Sequence, residues 1–91
     1  MSYDQYRINV EKISEYIEYL SYFRRTLENE LIDFEKRIKA AHDYWDDEQY
    51  EKTLEVKDEI ARAEMELIES IEDSIRKLTI MNEEYIKYLR M

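Results

Sequence analysis

No glycine, proline or cysteine occurs among the 91 residues. Without glycine and proline the chain lacks the residues that most often break helices or set sharp turns, which leaves that work to Asp and Asn. Such a chain favours continuous helix. The absence of cysteine excludes disulfides, thiolate metal sites and cysteine nucleophiles, but is neutral about redox compartment. No apolar run approaches the ~20 residues of a transmembrane span, so membrane insertion is not expected. The opening Met1-Ser2-Tyr3-Asp4-Gln5 lacks the basic and apolar regions of a signal peptide. The expectation is a soluble chain made in the cytoplasm, which if secreted leaves by a route that reads no cleaved leader.

Positive charge is also in short supply. The 23 acidic and 14 basic residues give a net charge of −9, which argues against a nucleic-acid partner because phosphate binding needs clustered Lys and Arg. Residues 45–91 hold 7 basic and 14 acidic groups, while residues 1–44 hold 7 and 9. The second half therefore offers either an acidic face to a basic partner or a solvated helix surface.

What the chain does contain is two long runs of helical periodicity. Tyr6, Val10, Ile13, Ile17, Leu20, Leu27, Leu31, Phe34, Ile38 and Ala41 recur at steps of four and three, with Arg24 alone breaking the stripe. The second run is looser: Tyr50, Leu54, Ile60 or Ala61, Leu67 or Ile68, Ile71, Ile75, Leu78, Tyr85 and Leu89, with Lys57, Glu64 and Asn82 at seam positions. Between them stands the only tryptophan, Trp45, followed by Asp46, Asp47 and Glu48. Asp46 or Asp47 can cap the free amides of a new helix, and Gln49 follows Asp46 as in a capping box.

If the chain folds back at this point, facing residues have numbers that sum to about 91 or 92. The two stripes obey that rule, pairing Ile38 with Leu54, Leu31 with Ala61, Leu20 with Ile71, Ile17 with Ile75, Ile13 with Leu78 and Tyr6 with Tyr85. Two patterns read separately and falling into register predict an all-α fold, a single domain over residues 1–91. It is an antiparallel two-helix hairpin, a helix-turn-helix rod with arms near 3–43 and 47–89 and a bend at 44–47. Trp45 is expected to pack over the end of the hairpin, against residues such as Ala41, Tyr50 or Leu54.

A two-helix hairpin has a small core for its length and needs a partner. Tyr16, Tyr19, Tyr22 and Phe23 lie beside the main stripe and read as an association surface, a homodimer or heterodimer through helix packing that makes a four-helix bundle. The other reading of these rings is a wider intramolecular seam. Arg24 faces the Leu67 or Ile68 layer, one turn from Glu64, which predicts a seam ion pair between Arg24 and Glu64 that sets register. The alternative is an exposed arginine covering the seam with its aliphatic stem.

No enzyme signature is present. A di-metal helical bundle needs a Glu-x-x-His turn, but the only histidine, His42, has Lys39 three residues earlier. Asp43, Asp46, Asp47 and Glu48 crowd the bend, yet a calcium loop needs its glycine and alternating ligands. Neither a glycine-rich phosphate loop nor a Ser-His-Asp constellation can be read from the chain. The sequence predicts no enzyme activity, no cofactor and no metal.

Helical arm, Tyr44-Trp45-Asp46-Asp47, helical arm, in about ninety residues beginning at Met1: the chain resembles the WXG family of small helical hairpins handled by type VII (ESX) secretion systems. Asp47 stands where that family has a glycine, two places after the tryptophan. The resemblance implies a secretion substrate, or a helical partner or targeting chaperone of a larger secreted protein. Exported members commonly end in a Tyr-x-x-x-Asp/Glu signal, whereas here Tyr85 is followed four residues later by Leu89, which suits the partner role. The competing expectation is a cytoplasmic coiled-coil chaperone or adaptor of another secretion or phage system, with no meaning attached to Trp45.

Overall fold

The computed structural model describes residues 2–90. It is an all-α two-helix hairpin: α1 spans Tyr3–Ala41 and α2 spans Asp47–Leu89, with no strand among the described residues. Both helices begin with side-chain caps. Ser2 accepts a hydrogen bond from the Gln5 amide at 3.3 Å, and Asp46 accepts one from the Gln49 amide at 2.8 Å, each satisfying a donor that has no partner inside its helix. The expected cap before α2 is therefore Asp46, with Asp47 and Glu48 adding negative charge to the first turn.

The first helix ends two residues earlier than expected. The His42 amide turns back to the Lys39 carbonyl at 3.2 Å and the Tyr44 amide to that of Ala41 at 3.0 Å, and these shorter bonds take residues 42–44 out of the α-helix. No described residue has a positive φ, so the bend needs no glycine. Asp47 sits at the first position of α2 in ordinary helical geometry.

The helices pair in two units. The first joins residues 2–24 of α1 and its cap to residues 70–90. Here Val10, Ile13, Ile17 and Leu20 are half-buried, as are Ile75 and Leu78, and Ile71 is buried with 6% of its surface exposed. The antiparallel register is marked by Tyr6, whose ring lies 5.4 Å from that of Tyr85 and stacks at 5.0 Å on that of Tyr88. Asn82 is the buried polar member of this seam, donating from Nδ2 to Ser14 Oγ at 3.1 Å.

The second unit, residues 25–69, contains the bend. Leu27, Leu31, Phe34, Ile38 and Ala41 are half-buried on α1, and Tyr50, Leu54, Lys57, Ala61, Glu64 and Ile68 on α2. Burial thus resolves the two ambiguities of the second stripe in favour of Ala61 and Ile68. Ile60 and Leu67 are left on the outside.

Asn82 gives a prediction of uncommon sign. Its Oδ1 is buried without a hydrogen-bond partner among the described residues, and an unmet acceptor costs about 1–3 kcal/mol. Asn82→Leu should therefore stabilise the hairpin, by roughly 1–2 kcal/mol, while removing a polar constraint on register. Urea titration measures the gain, and a loss of stability would mean that the Ser14 bond outweighs the unmet acceptor.

Candidate functional site

The residues expected to associate all lie on α1 in the first unit. Tyr16, Tyr19, Tyr22 and Phe23 are 54%, 62%, 62% and 37% exposed, so they do not merely widen the seam. Tyr16, Tyr19 and Phe23 follow the steps of three and four that repeat one helix face, and Tyr22 stands beside them. The rings of Tyr19 and Phe23 lie nearly parallel, 6.5 Å apart. An ordered apolar stripe is thus presented outward, beside the one that builds the seam.

Charge on this unit is nearly balanced, with 7 basic and 8 acidic side chains. Most of the negative charge belongs to the other unit, where 7 basic groups stand against 15 acidic ones. Two copies can therefore approach through the aromatic stripe of the first unit without strong net repulsion.

The seam arginine has a different partner from the one expected. Arg24 Nη1 lies 3.7 Å from Glu72 Oε1, two turns beyond Glu64 on α2. Glu64 makes no ion pair among the described residues, and its Oε2 is buried without a hydrogen-bond partner. The physical reason is reach: a long, forked guanidinium at a half-buried position extends along the edge of the seam to a half-exposed carboxylate, where desolvation costs less than it would inside. With both side chains more than a third exposed, a double-mutant cycle on Arg24→Met and Glu72→Gln should give a coupling below about 1 kcal/mol. A larger coupling would return Arg24 to a register-setting role.

Trp45 is partly covered at the bend. It keeps 39% of its surface exposed, and the ring that lies on Tyr50 is that of His42, at 4.4 Å and tilted by 59°. A neighbouring imidazole thus makes the ring contact on Tyr50. The fixed element of the bend is Asp46, and Asp46→Ala should cost about 1 kcal/mol. An unchanged melting curve would assign the start of α2 to tertiary packing alone.

The remaining polar groups behave as helix surface. Glu48 pairs with Lys52 at 3.3 Å and Arg37 with Asp33 at 3.1 Å, each one turn apart. Asp73 has its carboxyl held below the ordinary range, first by a hydrogen bond from Lys77 at 2.8 Å and then by that ammonium's charge. Because its folded value is depressed, any stabilisation it contributes is present above the ordinary carboxylate range and is lost as pH falls through the lowered value. Among the described residues no three His, Cys, Asp or Glu side chains gather to hold a metal, and no helix is long and apolar enough to cross a membrane.

A groove of ≈ 390 Å³ in the second unit runs between Ile32, Lys36, Lys39 and Tyr50, with Ile38 and Leu54 in its lining. The expected facing pair Ile38 and Leu54 thus shares one surface. Sequence reasoning missed two features: the Ser2 cap, signalled by Gln5 three residues on, and the outer position of Ile60 and Leu67, signalled by their offset of one residue from the seam. Comparison of the chain with models of protein families, with characterised proteins and with solved structures finds no match.

Proposed function

We propose that the protein is a non-enzymatic helix-packing partner, a hairpin that self-associates through α1 and works by binding other helical protein. The observation that carries this reading is the exposed stripe of Tyr16, Tyr19, Tyr22 and Phe23 on the unit with nearly balanced charge. Two such faces laid together remove apolar surface that a single hairpin leaves in water, which is the driving force of a four-helix bundle. A symmetric pair is the simplest assembly in which each copy supplies both the stripe and its receptor.

The finer proposal places the hairpin in a type VII secretion system, as a WXG-like substrate or as the partner or targeting chaperone of a larger helical secreted protein. Its support is the position of Trp45 at the bend between two long helices, and the helical conformation of Asp47 removes the need for the family's glycine. Affinity capture of the tagged chain from its native host tests this. Type VII components or a large helical secreted protein are the expected companions, whereas cargo of another secretion or phage system would replace this reading with that of a cytoplasmic coiled-coil chaperone or adaptor.

A further inference from the structure

The second helix carries an apolar stripe that the hairpin does not use. Val56, Ile60, Ala63 and Leu67 follow one another at steps of four, three and four, the spacing of a coiled-coil seam. All four are exposed, Val56 by 53%, Ile60 by 39% and Leu67 by 44%. They belong to the second unit, with its net charge of −8.

Two carboxylates border the outer side of the stripe. Glu59 and Glu66 stand one turn from Val56 and Ala63 on the outer side, and neither makes an ion pair among the described residues. On the seam side Lys57 and Glu64 each lie one turn from Ile60, and Glu64 Oε2 is buried within the hairpin.

These charges disfavour a second copy as the occupant. Two such stripes laid together would bring Glu59 and Glu66 of one chain against the same residues of the other, like charges at an interface from which water is being removed. A helix with its own apolar heptad stripe, bordered by Lys or Arg, meets every requirement at once. It would cover the four apolar residues and neutralise Glu59 and Glu66.

We infer that the outer face of α2, from Val56 to Leu67, is a docking face for a basic amphipathic helix of a different protein. This deepens the proposed function by naming the partner's chemistry, and it rests on that reading only in that both concern helix packing, since the surface is separate from the aromatic stripe of α1.

The test uses the full-length chain and two labelled synthetic peptides about three heptads long. Both carry leucine at alternating steps of three and four; one has lysine at the bordering positions and the other glutamate. Fluorescence anisotropy should show the lysine peptide binding at least tenfold more tightly than the glutamate peptide. Ile60→Asp separates docking from simple charge attraction, because it adds a negative charge while breaking the stripe. Docking predicts at least tenfold weaker binding of the lysine peptide, and mere attraction predicts binding that is unchanged or tighter.

The exposed double variant Glu59→Lys with Glu66→Lys, which leaves the apolar stripe intact, should exchange the preference to the glutamate peptide. Phe23→Glu should leave peptide binding unchanged even where it abolishes self-association, so failure of the proposed function and failure of this inference are distinguishable. No binding of the lysine peptide, equal binding of the two peptides, or insensitivity to both sets of substitutions overturns the inference. So does a sedimentation mass that falls on Ile60→Asp, which would make a second copy the occupant.

Discussion

Ile71→Ala should lower the melting midpoint by roughly 10–30 °C, the largest stability effect expected of any single truncation in the chain. Ile71 is the one apolar side chain buried among the described residues, and deleting buried methylenes costs about 2–4 kcal/mol at such a site. A two-helix hairpin has little stability to lose. For a domain of this size each kcal/mol moves the midpoint by about 4–8 °C. Ile80, on the same helix but 62% exposed, is the matched control, and Ile80→Ala should fall within about 0.5 kcal/mol of the parent. Thermal unfolding followed by circular dichroism compares the two. Equal effects would mean that the first unit has no local core, and that stability is spread evenly along both helices.

Phe23→Glu should convert an associated protein to a monomer with little loss of helix. Phe23 is partly exposed and stacked with Tyr19, so the substitution places a carboxylate on the outward stripe without entering the seam. In a symmetric pair the stripe meets itself, and each dimer then buries two new charges. Even a modest penalty for each copy makes self-association at least tenfold weaker. Ile32→Glu is the control, since Ile32 is also exposed but lies outside the stripe. Sedimentation velocity at matched helix content reads the outcome. An unchanged mass for Phe23→Glu, or an equal fall for Ile32→Glu, would show that the aromatic stripe has been misassigned.

The elements of the fold were written in the heptad spacing, and the reason is physical. With no glycine or proline to interrupt it, apolar periodicity alone decides where helix runs, and Asp46 is the strong cap between the two stripes. The Tyr6 and Tyr85 contact follows from the same spacing. Side-chain reach was harder to anticipate. Arg24 finds Glu72 instead of Glu64 because a flexible guanidinium can reach a carboxylate away from its own layer, and register arithmetic knows only layers. Likewise Trp45 and His42 stand three residues apart in the bend after α1, and periodicity does not decide which ring meets Tyr50. The aromatic stripe of α1 could be picked out from its tyrosines. The stripe of α2 was hidden because Ile60 and Leu67 sit one residue from Ala61 and Ile68, and read first as alternative seam residues.

The most direct test of the central claim, that this hairpin self-associates through the aromatic stripe of α1, is its melting midpoint as a function of its own concentration. Unfolding coupled to dissociation makes that midpoint depend on concentration. The wild-type chain should melt higher as concentration rises over two to three decades, and Phe23→Glu should lose that dependence. A wild-type midpoint that stays constant across the range, with a monomer mass at its upper end, would contradict the account.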